Sequence, residues 1–444
     1  MQKFESAYRQ VGALSLGVVA ALLTACGGGG GNSGGTTTGP VVSSQAGPVK
    51  VTLPTYGGYE YWMAYQDGDG PWKAAARSAG GFSFQVEDKA GKYAVMLVQE
   101  ANSPGTSGFP TELLAYHLTR AETSTIDLRA LPDPGRTNYT AVRFTQQGAP
   151  ASGTCVAALG SQSTSAESCN ALSSKQYSVP MDKMDAFAVH LNDSGAADSL
   201  VIQRALDTRS ATTVNFDFTK AIALPAPSQM SALADYTPVA GETLSRAVSL
   251  ASPSAQIRLA LGSQPTLSYP LVPAGAMSNT DNYVVSATAR LVQGTVTARR
   301  SASYVSATGA VQPLKLPPYA NPLALGVAPN GSSPRPTMTW TPVTGSTLTN
   351  VFAWERYGEG PTLDFTFSAG WIGGARTVTY TAPDLTGLGW KPSWSLGRRA
   401  QMTVYYTEHF NSRATPDYFA GTRSDKVEDH TSWFTQVSSE VALP

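Results

Sequence analysis

YAVMLV, residues 93–98, is apolar at every position. Successive side chains of a strand point to opposite faces. A run with no polar member therefore needs apolar cover on both sides, and residues 93–98 are predicted to form a central strand. Upstream, Phe82-Ser83-Phe84-Gln85-Val86-Glu87 alternates strictly, as a strand with one buried face does. Tyr59, Tyr61, Met63 and Tyr65 share one face of another run, with Trp62 and Ala64 on the other. The pattern recurs at residues 126–128, 142–144, 187–189, 200–202, 214–218, 257–261, 283–291, 296–300, 338–340, 363–367 and 402–406, with turn residues in nearly every gap. Residues 111–121 are the best helix candidate. Short, regularly spaced strands predict an all-β chain of several tandem β-sandwich domains.

Charged residues make up 14% of the 444 positions and the formal net charge is zero. An average soluble protein carries about 25% charge. A nucleic-acid partner is not expected, because binding one requires a basic surface that displaces counterions. The neutral, Ser/Thr- and Gly/Pro-rich composition fits an extracytoplasmic β protein. Proline-rich breaks divide the chain. Leu131-Pro132-Asp133-Pro134-Gly135 ends a first unit, Leu224-Pro225-Ala226-Pro227 a second, and residues 313–336 read as a linker. The expected organisation is a leader at 1–25, a tether at 26–47, sandwiches at 48–135 and 136–225, a β-rich unit with its linker at 226–335, and a last sandwich at 336–444.

The N-terminus carries Lys3 and Arg9, then an apolar stretch over residues 11–23, too short for a membrane-spanning helix. It ends in Leu23-Thr24-Ala25-Cys26, which resembles the lipobox of bacterial lipoproteins. The resemblance implies that the Cys26 thiol takes a diacylglyceryl group and that the leader is then removed. Thiolate nucleophilicity suits thioether formation, and several acyl chains suffice for stable anchoring in a bilayer. GGGGGNSGG, residues 27–35, reads as a flexible tether. Gly27 stands where an Asp would signal inner-membrane retention in that family, so outer-membrane residence is implied. Residues 142–220 resemble carboxypeptidase-regulatory-like or transthyretin-like sandwiches. Residues 336–406, with Trp340-Thr341-Pro342 and TYTAPDLTGLG, are similar to fibronectin type III domains. As a whole the chain resembles multi-sandwich bacterial lipoproteins. None of these resemblances carries a catalytic residue across.

Cys155 and Cys169 form an even pair suited to an oxidising compartment, and a disulfide between them is expected. The four histidines are His117, His190, His409 and His430. The first two read as satisfied structural residues. Glu408-His409 and Glu428-Asp429-His430 place carboxylates beside imidazoles, but strand neighbours face opposite ways. HExxH, GxSxG, SxxK, the P-loop and GxGxxG are all absent. No cofactor, metal or catalytic residue is expected. The aromatics are the better binding candidates: Trp62 and Trp72 early, and Trp371, Trp390 and Trp394 among glycines and prolines late.

Asp67-Gly68-Asp69-Gly70 fails most positions of a calcium loop. Gly358-Glu359-Gly360-Pro361 repeats the pattern of Gly68-Asp69-Gly70-Pro71 with Tyr357 where Asp67 stands, so both read as strand-ending turns. The functional expectation is a lipid-anchored envelope lipoprotein with a non-enzymatic binding, adhesive or structural role and an envelope protein or carbohydrate as partner. A glycan hydrolase with a carboxylate pair and a calcium-dependent adhesive module are the alternatives.

Overall fold

The computed structural model describes residues 45–53, 59–76, 80–101, 111–128, 139–160, 162–163, 169, 176–309, 313–328, 335–355, 361–395, 401–410 and 430–442. Over the described residues the fold is all-β, about 58% strand and 6% helix, with several sheets and no barrel. Strand Lys92–Ala101 lies between Tyr59–Asp67 and Glu112–Thr119. Tyr93, Val95 and Leu97 enter one core with Val49, Val51, Phe84 and Ile126. Met96 and Val98 enter another, with Trp340, Phe365, Phe367 and Val404. Both faces of YAVMLV are therefore covered, which explains the absence of any polar position in it.

These strands belong to a 12-stranded sheet. Its order is Gln256–Gly262, Thr243–Ala251, Asn282–Gln293, Val296–Ser306, His430–Ala442, Gln401–His409, Leu348–Glu355, Thr362–Ser368, Glu112–Thr119, Lys92–Ala101, Tyr59–Asp67, Lys73–Ala74. Every pairing within it is antiparallel except one: Thr362–Ser368 runs parallel to Glu112–Thr119. Strands from three of the four expected body units thus share one ladder. The chain's early strands are joined edge to edge with its late ones, and an apolar-edged strand such as Glu112–Thr119 finds its second neighbour far along the sequence.

Smaller sheets cover this sheet. Gly81–Val86, Gly47–Thr52 and Thr125–Asp127 close the first core, and Ala324–Val327, Pro336–Trp340 and Val378–Thr381 close the second. Within residues 136–225, a five-stranded sheet that includes Thr154–Leu159, Lys183–Leu191 and Ala197–Asp207 packs on a three-stranded one around Phe144, Phe216 and Ala188. Its other face is not free. Phe187, Val189 and Leu191 pack against Val248, Leu250, Ile257 and Val285 of the large sheet.

Residues 111–121 are not helical. Glu112–Thr119 is a strand paired on both edges. Leu114 and Tyr116 face one core while Leu113 and Ala115 face the other. Packing on both faces overrides a weak helical preference. Cys155 and Cys169 are joined in a disulfide and both are buried.

Candidate functional site

Trp62, Trp390 and Trp394 meet, although 328 positions separate Trp62 from Trp390 in the numbering. Their ring centroids lie 5.4 Å (Trp62–Trp390), 5.7 Å (Trp62–Trp394) and 5.5 Å (Trp390–Trp394) apart. Two of the pairs are edge-to-face, the arrangement the ring quadrupoles favour. Trp62 projects from strand Tyr59–Asp67 on the Met96 and Val98 face. Trp390 follows the short turn Thr386–Leu388, where Gly389 has φ 88°, and Trp394 ends the turn Pro392–Trp394. Each polar tip of the first two is engaged. Trp62 Nε1 donates to the Leu388 carbonyl at 3.0 Å and Trp390 Nε1 to Ser395 Oγ at 3.0 Å. Lys391 Nζ lies 5.0 Å from the centroid of the Trp394 ring, within cation–π range. Trp394 is buried, whereas Trp62 and Trp390 are partly exposed.

Beside this cluster a cleft opens between the large sheet and the sheet containing Pro336–Trp340. Met96, Leu113, Leu363, Phe365 and the buried Trp394 contribute its apolar floor, and Arg335, Asp384, Thr386 and Trp390 its rim. Asp384 Oδ1 accepts from Thr386 Oγ1 at 2.7 Å and Thr386 N at 3.1 Å. The hydroxyl bond first, then the amide bond, holds the Asp384 carboxyl below its ordinary range. The site is an aromatic wall with one anionic and one cationic group at its lip.

The other two tryptophans lie elsewhere. Trp72 is partly buried and packs against the same core. Trp371, in the short helix Ala369–Ile372, joins an internal cluster, 4.9 Å from His117 and 5.5 Å from Phe367. Cys26 and the leader and tether around it lie outside the described residues, as do residues 356–360 with most of the second Gly-acid-Gly-Pro repeat.

Asp67 is an architectural residue. Its carboxylate accepts from the backbone of Glu87 at 3.0 Å and of Asp88 at 3.1 Å, so the turn at residues 67–70 braces the neighbouring loop. Gly68, at φ 53°, makes that turn possible. His190 is satisfied, with Nδ1 2.7 Å from Asp198 Oδ1 and Nε2 2.7 Å from the Ser152 carbonyl. His117 is not. It is fully buried between Phe367, Trp371 and Tyr380, and neither ring nitrogen makes a hydrogen bond of ordinary geometry. Desolvation pushes its pKa down to about 3, with the Thr366 backbone acting the other way. Glu408 and His409 face opposite sides of their strand: Glu408 meets Ser346, Thr349 and Tyr406, and His409 meets Phe434. The side chain of His430 lies outside the described set. Among the described residues, no group of three or more His, Cys, Asp or Glu is arranged to hold a metal ion.

Arg335, Asp384 and the Leu388 carbonyl were not legible as site members. Asp384 and Thr386 lie in the sequence as an ordinary Pro-Asp-Leu-Thr turn, and only the return of strand Val378–Thr381 to Pro336–Trp340 brings them to the cleft.

No family model and no curated protein matches the chain. A solved structure described as a tetra-tandem repeat in the extending region of a large adhesion protein is similar at 13% identity, covering 88% of this chain and 93% of that one. Its TM-score is 0.15, so the two do not superpose and the likeness carries no argument.

Proposed function

We propose that the protein is a lipid-anchored, extracytoplasmic β protein of a bacterial envelope, with a non-enzymatic binding role, and that the partly exposed rings of Trp62 and Trp390 beside the cleft form a contact surface for a carbohydrate. The meeting of the Trp62, Trp390 and Trp394 rings, the last two of which also line the cleft, carries the reading. Partly exposed indole faces stack on the apolar faces of sugar rings, and Arg335 and Asp384 at the rim suit hydroxyl groups. The lipobox-like Leu23-Thr24-Ala25-Cys26, the glycine tether and the disulfide support the location. A glycan hydrolase needs two carboxylates flanking the scissile bond. Among the described residues the cleft lining offers one, Asp384.

Titration of the chain with envelope polysaccharides, followed by tryptophan fluorescence, tests the binding reading. A saturable change that Trp390→Ala abolishes without altering the circular dichroism spectrum is expected. Saturable binding of an envelope protein with no response to any polysaccharide would replace the carbohydrate with a protein partner. Mass spectrometry of the N-terminal peptide tests the anchor. An acylated Cys26 is expected, and an unmodified mature Cys26 would refute it.

A further inference from the structure

On the face of the large sheet turned away from the cleft, two acids stand together without an opposing charge among the described residues. Glu112–Thr119 and Thr362–Ser368 run parallel, with Glu112 opposite Thr362 and Leu114 opposite Asp364. Alternation puts Glu112, Thr362 and Asp364 on one face, while Leu113, Leu363 and Phe365 point to the cleft. Neighbouring strands lie about 4.8 Å apart, and residues two along a strand about 6.6 Å, so the three side chains share one small patch. From the next strand, Asn350 Nδ2 donates to Asp364 Oδ1 at 2.6 Å. Thr362 is 1% exposed and its hydroxyl has no hydrogen-bond partner.

The charge balance of this patch is unfavourable as it stands. Burial, and then the charge of Asp364, push Glu112 up to about 7. Burial pushes Asp364 up to about 6 against the Asn350 hydrogen bond. No lysine, arginine or histidine among the described residues offsets either acid. The residues beside them in the ladders are uncharged: Phe352 and Leu114 flank Asp364, and Gln99 pairs with Glu112. A buried hydroxyl without a partner, next to two carboxylates that no described residue compensates, is a set of hard oxygen donors suited to a positive charge.

We propose that Glu112, Thr362 and Asp364 bind a divalent cation of the calcium class, with water completing its shell. Calcium takes six to eight oxygen ligands in flexible geometry, whereas magnesium demands a near-ideal octahedron and sheds water reluctantly. The donors include no thiolate and no imidazole, which sets the site apart from zinc and copper chemistry. Two carboxylates place the affinity in the weak range of extracellular modules, about 0.1–1 mM. The inference stands apart from the carbohydrate reading, because the two sites lie on opposite faces of the sheet.

The test uses the full chain freed of metal with EDTA. Its melting temperature is followed on titration with calcium chloride up to about 10 mM. Terbium emission excited through tryptophan is followed in parallel. A saturable rise in melting temperature, and terbium emission that calcium displaces, are expected. Both are lost in the Glu112→Gln/Asp364→Asn double variant. In EDTA that variant melts no lower than the parent, because the repulsion is gone. Thr362→Val, which keeps both acids and the side-chain shape, weakens the calcium midpoint several-fold. A melting temperature indifferent to calcium overturns the proposal, and so does a calcium response that survives the double variant. Loss of the response in Asp67→Asn/Asp69→Asn alone would move the cation to the turn and overturn it equally. Should the double variant fail to fold, Thr362→Val decides, and an unchanged midpoint there sinks the proposal.

Discussion

The Trp62 indole donates to the Leu388 carbonyl oxygen at 3.0 Å, a bond across 326 residues of sequence. It ties a strand of the early part of the chain to the loop that carries Trp390 and Trp394. Trp62→Phe keeps an aromatic ring but removes the donor, leaving a partly buried carbonyl unpaired. A loss of about 1 kcal/mol is expected from urea unfolding. An unchanged midpoint would show that the bond contributes nothing to stability.

Glu408 is fully buried among the hydroxyls of Ser346, Thr349 and Tyr406. Desolvation raises its pKa from 4.5 to about 7, with the hydroxyl hydrogen bonds acting against that rise. The folded chain therefore holds this proton more tightly than the unfolded one. The stability linked to the proton is present below about pH 4.5 and is lost as pH rises through about 7. Glu408→Gln removes the ionisation. Relative to the variant, the parent chain is expected to melt progressively lower between pH 5 and pH 8 (both values approximate), a difference on the order of 3 kcal/mol. Parallel melting curves for the two chains over that range would refute the assignment.

His117 shows the opposite sign. Its folded pKa, about 3, lies below the ordinary 6.5, so the unfolded chain binds the proton better. The associated stability is intact above pH 6.5 and is lost as pH falls toward 3. His117→Phe fits between Phe367, Trp371 and Tyr380 without a polar atom to desolvate. The variant is expected to match or exceed the parent at neutral pH and to gain on it steadily as the buffer is acidified. Equal acid sensitivity in thermal melts would place the loss elsewhere.

The Cys155–Cys169 bridge closes a short loop, 14 residues apart in sequence, and both cysteines are buried in the core containing Phe144 and Phe216. Constraint of the unfolded chain is worth about 3 kcal/mol for a loop of that length. Cys155→Ser/Cys169→Ser, or reduction of the parent, is expected to lower the melting temperature by several degrees, for a loss of about 3 kcal/mol. Identical melts with and without reductant would contradict it.

The strands themselves were readable. YAVMLV declared two apolar faces, and it has two. Leu363-Asp364-Phe365-Thr366-Phe367 declared alternation, and Phe365 and Phe367 are buried on one side of it. The turn at Asp67 and the cysteine pair were equally local in origin. The reading of residues 111–121 as helical failed because Glu112–Thr119 is set by neighbours on both edges, one of them some 250 positions away. The meeting of Trp62 with Trp390 and Trp394, and of Glu112 with Asp364, depends on those same distant pairings.

Sequence alone determined that this is a β protein with an N-terminal segment like a lipobox, since residue type and period act over a few positions. Tertiary structure alone decided that three of the expected units share one sheet, which tryptophans line the cleft, and which carboxylates share one face of that sheet. The physical reason is that alternation specifies which face of a strand must be covered but says nothing of what covers it. The edges carry the same N–H and C=O groups in every strand, so partner and order follow from which apolar faces can be buried together.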